Sequence, residues 1–420
     1  MARILLSAAP FTGHVAPMCS VAHALSARGH DVRVYTGPAF ADQVAATGAR
    51  LLPWRKAPDF DENDLQSTFP RLIGKKRLSQ VFINITDVFI GTAPEQVDDL
   101  QAEWDREPWD AMAGDDVSVG AVLFAERSGV PWATVSVLPL NMAAPSGPPS
   151  GLGLAPGRTA IVRTRDSVLR AAVPLLSLPL RRPLARARER VGLAPSRRTF
   201  DRVVFSPRLV VASGAPLLDF ARTDRPAHVH FVGRLTALSQ GEVPAWWGDL
   251  DARRVVHVSQ GTQNIDPADL IRPAVEALAD RDVLVVVSTG IRDRVELPFP
   301  VPPNVRVAGV LPYSALLPRL EAMITNGGWG GTLAALSHGV PLVIAGGDLD
   351  KPEIAARVAW SGSGVNLRTG TPSAAKVADG YDRVMDDPAF QDAAGRVAQQ
   401  LNSLGGAPRA AELLETLFAS

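Results

Sequence analysis

The chain has 420 residues, enough for two or three domains; 46% of them are hydrophobic and 20% are charged. This is the composition of a globular protein and excludes an intrinsically disordered one. Lys and Arg together number 43, as do Asp and Glu, so the formal net charge is zero. A neutral chain is a poor candidate for nucleic-acid binding, because cationic density supplies most of that affinity.

The single cysteine, Cys19, excludes an intrachain disulfide and a cysteine-based zinc site, and it favours a reducing compartment. No apolar run approaches the ~20 residues that a membrane helix needs. The apolar stretch at the N-terminus is too short for a signal peptide and is interrupted at Pro10 and His14. We therefore expect a cytoplasmic protein without integral membrane association.

Strands and helices alternate in the first part of the chain. Short continuous apolar runs that end in turn formers are typical of buried parallel strands, and apolar residues at helical spacing lie between them. The predicted elements are a strand at 2–9, a helix at 15–27, strands at 31–37 and 110–114, a helix around 120–128 and a strand at 131–137. This alternation predicts a parallel sheet covered by helices on both faces.

A second, similar series follows residue 254. Its predicted elements are a strand at 255–262, a helix at 268–280, strands at 283–290, 305–311 and 322–328, a helix around 331–338 and a strand at 341–346. The stretch before it is rich in turn formers and has no clear period. We therefore predict two doubly wound α/β domains, 1–232 and 254–420, joined by a linker at 233–253.

The segment 158–202 is crowded with arginines and interrupted by three prolines. It lacks the interleaved aromatic residues of a single-strand nucleic-acid binder. Proline-kinked, solvated surface helices are the favoured interpretation.

The turn after the first strand reads Pro10-Phe11-Thr12-Gly13-His14. It lacks the G-x-G-x-x-G pattern of dinucleotide-binding folds, which argues against a nicotinamide or flavin enzyme. A histidine at the carboxyl end of a parallel strand lies where open α/β sheets bind ligands, and a helix N-terminus favours its neutral form. His14 is therefore a candidate general base; a helix cap or a gap filler is the alternative.

A histidine base needs a group that orients its ring and stabilises the imidazolium. Asp115 and Asp116 follow the predicted strand at 110–114, at the same edge of the sheet. Asp115 is the better candidate for this partner. Either aspartate could instead cap the next helix.

In the second half, the turn at 325–332 (Thr-Asn-Gly-Gly-Trp-Gly-Gly-Thr) joins a strand to a helix. Glycine-rich backbone at a helix N-terminus offers free N–H groups and a positive dipole end, which suits an anion. The turn lacks the Gly-Lys-Ser/Thr ending of a Walker A loop, so a kinase or ATPase is disfavoured. Gly261 and Thr262 end the first strand of this half, and Asp350 and Lys351 are placed to hold a polyhydroxylated ligand.

These motifs resemble family 1 glycosyltransferases of the GT-B architecture, in particular the bacterial enzymes that attach sugars to antibiotics and other natural products. The resemblance rests on residues 13–17, on the strand that ends in Asp115 and on residues 326–358. It extends over nearly the whole chain. It implies two Rossmann-like domains whose parallel sheets face each other across a cleft.

The resemblance also implies an inverting, metal-independent transfer from a nucleotide diphosphate sugar (dTDP- or UDP-linked) to a hydroxyl of a small-molecule aglycone. No cofactor is expected beyond this co-substrate. His14 would be the catalytic base and Asp115 its partner. The donor-binding residues would be Gly261, Thr262, Val310, Leu311, Asn326, Gly328, Gly330, Gly331, Thr332, Asp350 and Lys351.

Four positions depart from the family pattern. Asn326 replaces the usual histidine, Gly331 the usual Ser or Thr, and Lys351 the usual glutamine. Ala334 replaces the glutamate that binds the ribose diol, a residue that enzymes using deoxythymidine diphosphate sugars can lack. These departures bear on the identity of the donor more than on the reaction.

The acceptor would bind in the first domain, along residues 59–89 and the loop after Val137. We predict an apolar wall made of Phe69, Phe82, Phe89, Leu138 and Met142. A homodimer is left open. Two alternatives remain beside the transferase: a nucleotide-sugar epimerase or hydrolase on the same fold, and a catalytically silent activator of another glycosyltransferase.

Overall fold

The computed structural model describes residues 1–75, 77–220, 222–261 and 266–418. Within these ranges, the first half contains seven parallel strands. They are β1 (Arg3–Ser7), β2 (Asp31–Thr36), β3 (Arg50–Pro53), β4 (Ala111–Asp115), β5 (Trp132–Ser136), β6 (Val210–Ala212) and β7 (Val229–Phe231). They form one sheet in the order β3-β2-β1-β4-β5-β6-β7.

The second half contains six parallel strands in the order β10-β9-β8-β11-β12-β13. They are β8 (Val255–Ser259), β9 (Leu284–Ser288), β10 (Val305–Ala308), β11 (Leu320–Thr325), β12 (Leu342–Ile344) and β13 (Gly364–Asn366). The predicted fold class, two doubly wound parallel-sheet domains, is confirmed. The boundaries at 233–253 and 254–420 stay a prediction.

Helices cover both sheets. In the first half they are α1 (Thr12–Ala27), α2 (Ala41–Ala45), α3 (Leu65–Thr68), α4 (Arg77–Ile83), α5 (Ala93–Arg106), α6 (Val119–Ser128), α7 (Ala160–Leu176), α8 (Leu178–Arg190) and α9 (Phe200–Val203). In the second half they are α10 (Ile271–Leu278), α11 (Tyr313–Leu316), α12 (Trp329–Leu336), α13 (Lys351–Ser361), α14 (Ala374–Asp386), α15 (Pro388–Ser403) and α16 (Gly406–Glu415).

Alternating side chains of each strand enter cores on opposite faces of the sheet, as the strand period requires. Leu5 of β1 packs with the cluster under α5 and α6, whereas Leu6 packs with the cluster under α1. Helix α16 belongs to the second cluster through Ala410 and Leu414. The last helix of the chain therefore packs against the first sheet.

The arginine-rich segment forms helices, as expected, and α7 lies at the surface, whereas Leu184, Ala187 and Arg188 of α8 are buried. Asp166 is the one residue of α7 that is fully buried. Among the helices of the described residues, none is both long enough and apolar enough to cross a lipid bilayer.

Candidate active site

Each sheet has a point at which the strand order reverses. In the first sheet it lies between β1 and β4, and in the second between β8 and β11. Loops that leave neighbouring strands at such a point diverge to opposite faces, and the crevice between them is where open α/β sheets bind ligands. His14 follows β1 and Asp115 ends β4, while Gly261 follows β8 and Asn326 follows β11. The predicted residues of both halves therefore flank these two crevices.

The imidazole of His14 contacts the carboxylate of Asp115. The distance between His14 Nδ1 and Asp115 Oδ2 is 2.9 Å. His14 is 9% exposed and Asp115 is 1% exposed. With Nδ1 donating to the carboxylate, Nε2 is the ring nitrogen left to accept a proton.

Four donors hold the Asp115 carboxylate in place. Besides His14, Oδ2 accepts from the backbone N–H of Ala9 at 2.8 Å. The other oxygen, Oδ1, accepts from the backbone N–H of Val117 at 3.0 Å and from the Ser118 hydroxyl at 2.8 Å. The aspartate thus fixes the position and the tautomer of the histidine ring.

Contrary to the expectation from the helix N-terminus, the charges around His14 favour its protonated form. Burial alone would lower the pKa of His14, but the carboxylates of Asp115, Asp116 and Asp350 outweigh it and raise the pKa above its ordinary value. Burial would likewise raise the pKa of Asp115, yet the charge and hydrogen bond of His14 lower it overall. Asp350 belongs to the second half, and its carboxylate is near enough to His14 to contribute to this rise in pKa.

Asp116 is the second acidic group beside the histidine. Its Oδ2 accepts a hydrogen bond from the Ser136 hydroxyl at 2.7 Å. Its Oδ1 is buried without a hydrogen-bond partner among the described residues. Burial, with the nearby negative charge of Asp115, raises the pKa of Asp116 to about 6. Ligand atoms of His14, Asp115 and Asp116 lie within 4.8 Å of one another, a cluster that could hold a metal ion.

Aromatic rings lie next to His14. The ring of Phe11 is 5.8 Å from that of His14, 5.1 Å from that of Phe60 and 6.2 Å from that of Phe89. Sequence reasoning missed Phe11 and Phe60, although Phe11 lies only three residues before the histidine.

The predicted acceptor residues differ in burial. Phe69 is buried in the core, where its ring is 5.6 Å from that of Phe60. Phe82, Phe89 and Met142 are half-buried against the same core, and Leu138 is half-buried against the core under α1. Phe89 and Phe69 thus contact rings of the group beside His14, and the acceptor role of all five stays a prediction.

In the second half, Asn326 connects the loops that follow β8 and β11. Its Nδ2 donates to the carbonyl of Gln260, and its Oδ1 accepts from the N–H of Gly328 at 3.4 Å. A Cβ on Gly261 would lie 3.6 Å from this amide. The asparagine, where the family has histidine, is thus bound to backbone on both sides of the crevice. Thr262 lies outside the described residues.

The first turn of α12 follows at once. Gly328 is the residue before the helix, Gly330 is exposed and Gly331 is half-buried. The first N–H groups of a helix have no intrahelical partner, so this turn can bind an anion. Thr332 is fully buried, and its hydroxyl has no partner among the described residues.

Asp350 precedes α13 and is half-buried; burial raises its pKa. The neighbouring Lys351 is buried, and its Nζ contacts Asp348 Oδ1 at 2.7 Å. Val310 is half-exposed, whereas the Leu311 side chain is buried in the core beside β8. Leu311 can therefore meet a ligand only through its backbone.

Trp329, to which the sequence assigned no role, forms a contact between the two halves. Its Nε1 donates to the Ser213 hydroxyl at 2.9 Å. A Cβ on Gly214 would lie 2.7 Å from the indole, so glycine is required for this close approach. The first turn of α12 is thus positioned directly against the first half.

Two doubly wound domains, a buried histidine–aspartate pair at one crevice and a glycine-rich helix N-terminus at the other define a transferase of the GT-B type. Residues 272–419 match the family model described as "Erythromycin biosynthesis protein CIII-like, C-terminal domain". The chain is 39% identical to 4'-demethylrebeccamycin synthase of Lentzea aerocolonigenes over 99% of both chains. It is 31% identical to UDP-glucosyltransferase A1 of Starmerella bombicola, over 95% of this chain and 89% of that relative.

Solved structures have the same fold. The glycotransferase of kitacinnamycin superposes with a TM-score of 0.76 at 22% identity, over 99% of both chains. CalG4, the calicheamicin glycosyltransferase, superposes with a TM-score of 0.75 at 22% identity, over 99% of this chain and 98% of that one. The chain belongs to the family 1 glycosyltransferases of the GT-B architecture, in the group that acts in natural-product biosynthesis.

Proposed function

We propose that the chain transfers a sugar, with inversion at the anomeric carbon, from a nucleotide diphosphate sugar to a hydroxyl of a hydrophobic aglycone. The observation that carries this proposal is the buried contact between His14 and Asp115 at 2.9 Å, at a crevice close to Asp350 of the other half. One half supplies a general base and the other supplies an anion-binding turn.

In the proposed step, His14 Nε2 takes the proton of the acceptor hydroxyl while the oxygen forms a bond to the anomeric carbon. The bond from that carbon to the β-phosphate oxygen breaks, and the nucleoside diphosphate leaves with the bonding pair. Asp115 stabilises the imidazolium that forms. Free N–H groups at the start of α12 stabilise the charge that develops on the diphosphate. Asp350 and Lys351 hold the sugar hydroxyls.

Product analysis tests the proposal directly. The purified chain is incubated with UDP-glucose or dTDP-glucose, both α-linked, and a panel of phenolic acceptors. We expect release of nucleoside diphosphate that depends on the acceptor, and a β-glucoside in the NMR spectrum of the product. An α-glucoside would contradict inversion. Release of free glucose alone would favour the hydrolase alternative, and no turnover of either donor would favour the silent activator.

Activity is expected to survive an excess of EDTA. The proposed diphosphate site uses backbone N–H groups and a helix dipole in place of a cation. The carboxylate of Asp115 already accepts four hydrogen bonds, which leaves it poorly suited to bind a metal ion beside His14. The measurement is kcat/KM before and after chelation. Complete loss that magnesium or manganese restores would contradict the metal-independent step and would point to the cluster of His14, Asp115 and Asp116.

UDP- and dTDP-linked donors are expected to react with similar efficiency. Ala334 is 6% exposed and offers no carboxylate to a ribose diol, so the 2′-hydroxyl of uridine gains no partner at this position. Related proteins include UDP-glucosyltransferases, and the structure of SsfS6 contains thymidine diphosphate. The measurement is kcat/KM for UDP-glucose and dTDP-glucose. A preference for UDP-glucose beyond about tenfold, or ~1.4 kcal/mol, would mean that another residue binds the ribose.

The pH profile is expected to respond to Asp116. A general base works in its neutral form, and neighbouring carboxylates raise the pKa of His14, so activity should rise with pH through a midpoint above the ordinary histidine value. Asp116→Asn removes one negative charge at nearly constant shape. The pKa of His14 should fall, and the acid limb should move to lower pH. The measurement is kcat/KM against pH.

The control for this shift is Asp42→Asn, which removes an exposed carboxylate on α2. Its profile should match that of the unmodified chain. If Asp116→Asn leaves the midpoint of the acid limb unchanged, Asp116 does not act on the titrating base.

A further inference from the structure

A buried charged cluster joins the two halves beside the cleft. Arg357, on α13, is 1% exposed. Its guanidinium contacts Asp219 Oδ1 at 2.8 Å, Glu353 Oε1 at 3.1 Å and the carbonyl of Leu140 at 2.9 Å. Asp219 and Leu140 belong to the first half, whereas Arg357 and Glu353 belong to the second. Charges this deeply buried are costly unless they are paired, and here every charge has a partner.

One partner of this cluster is the β5–α7 loop, residues 137–158. Within the described part of the chain, this loop makes no backbone–backbone hydrogen bond. Two of its N–H groups, those of Gly151 and Gly153, donate to Glu353 Oε2 at 3.1 and 3.0 Å. On either side of these two glycines, the loop is held by side chains of the first half: Ser146 N–H donates to Asp224 at 3.0 Å and Gly157 N–H to Asp166 at 2.8 Å. The order of the stretch around Gly151 and Gly153, between these anchors, therefore depends on a carboxylate of the other half.

The loop also rests directly on the start of α13. Gly153 has a φ of +64°, and a Cβ there would lie 2.8 Å from Pro352 Cβ. Pro352 and Glu353 follow Asp350 and Lys351 immediately in the sequence. The turn proposed to hold the donor sugar is thus the turn on which the loop is seated.

We infer that Glu353 is a positioning residue that couples donor binding to the order of the β5–α7 loop, and through it to acceptor binding. The inference rests on the proposed function, in which Asp350 and Lys351 hold the sugar. A donor that fixes the start of α13 also fixes Glu353, which fixes the loop that carries Leu138 and Met142. Because coupling between two binding sites is reciprocal, a bound acceptor tightens donor binding by the same factor.

Hydrogen–deuterium exchange tests the coupling without a known acceptor. UDP-glucose or dTDP-glucose should slow exchange in residues 146–157 at least fivefold in the unmodified chain. In Glu353→Ala this effect should disappear, while the donor still slows exchange in residues 326–332. Arg357 keeps Asp219 as a partner in this variant, so the fold is expected to persist. Glu353→Gln retains an oxygen that accepts from the loop and should keep part of the effect.

Kinetics supply the second measurement, with a phenolic acceptor that the unmodified chain glycosylates. Glu353→Ala should raise the acceptor KM at least tenfold and increase the fraction of donor lost to hydrolysis. The donor Kd measured without acceptor should stay within twofold, because the coupling acts only when both ligands are bound. Gly153→Ala should act in the same way, because its Cβ meets Pro352. Gly129→Ala is the control: its φ is also positive, +76°, a Cβ there meets nothing within 4 Å, and the residue lies after α6, outside the loop.

Two outcomes would overturn the inference. If Glu353→Ala keeps the effect of the donor on residues 146–157, the loop is ordered without Glu353. If the donor slows exchange in residues 326–332 neither in the variants nor in the unmodified chain, the proposed donor site itself is wrong. The proposed coupling is then wrong as well.

Discussion

His14→Ala is expected to lower kcat by roughly 100-fold or more, the usual contribution of a positioned general base. The substitution removes the one ring nitrogen that is placed to take the acceptor proton, while Asp115 keeps three of its four donors. Donor affinity should stay within about twofold, because the proposed donor contacts lie in the other half. The measurements are kcat with saturating substrates and the donor Kd by calorimetry.

The choice of acceptor determines how clearly the His14→Ala experiment reports on the base. A weakly acidic alcohol needs the base, whereas an acidic phenol ionises unaided and would conceal the loss. The control is His23→Ala, which removes an exposed histidine from the same helix, α1. Its kcat should be unchanged. Turnover of the alcohol by His14→Ala at the rate of the unmodified chain would contradict the assignment of the base.

The pairing of His14 with Asp115 could be predicted from the sequence, because it depends on features that a sequence displays. Apolar runs at 2–9 and 110–114 predicted the strands β1 and β4. Parallel strands place their carboxyl ends at one edge, so residues that follow two such strands come close together. The structure pairs Ser7 of β1 with Gly114 of β4, and the contact follows from this register.

The direction of individual side chains could not be predicted in the same way. Lys351 is predicted to hold the sugar, and its ammonium also pairs with Asp348, a contact that the sequence does not show. Thr332 stays predicted near the diphosphate, and the sequence does not show that its side chain is fully buried. A single helical turn places neighbouring residues on different faces, and the sequence of the turn at 325–332 does not show which face meets the cleft.

Contacts between segments that are distant in the sequence could not be predicted either. Trp329 bonds to Ser213, Arg357 pairs with Asp219, and α16 packs against α1. Each contact joins segments more than a hundred residues apart, and hydrophobic periodicity describes only the local element. A buried arginine is indistinguishable from an exposed one in such a pattern. The cluster around Glu353 therefore emerged only from the structure.

Asp115→Asn is expected to lower kcat by about 100-fold or more, although the shape of the residue hardly changes. Both oxygens of the carboxylate accept hydrogen bonds, Oδ2 from Ala9 and His14, and Oδ1 from Val117 and Ser118. An amide can face only one of these pairs with its oxygen. If its NH₂ group faces His14, the ring must accept at Nδ1, and its proton moves to Nε2. The nitrogen that should take the acceptor proton is then already protonated.

The opposite orientation directs the NH₂ group at the backbone N–H of Val117, which leaves a buried donor without a partner at a cost of about 1–3 kcal/mol. The first orientation has a similar cost, because the NH₂ group then meets the backbone N–H of Ala9. Stability in urea should therefore fall in both orientations, and kcat separates them. A fall in kcat without urea, at a temperature where the variant is fully folded, indicates the wrong tautomer of His14. The control is Asp110→Asn. Asp110 lies just before the first residue of β4, and its exposed carboxylate accepts a hydrogen bond from the N–H of Arg3. Asp110→Asn should leave kcat unchanged, and an Asp115→Asn variant as active as this control would mean that His14 needs no aspartate to act as the base.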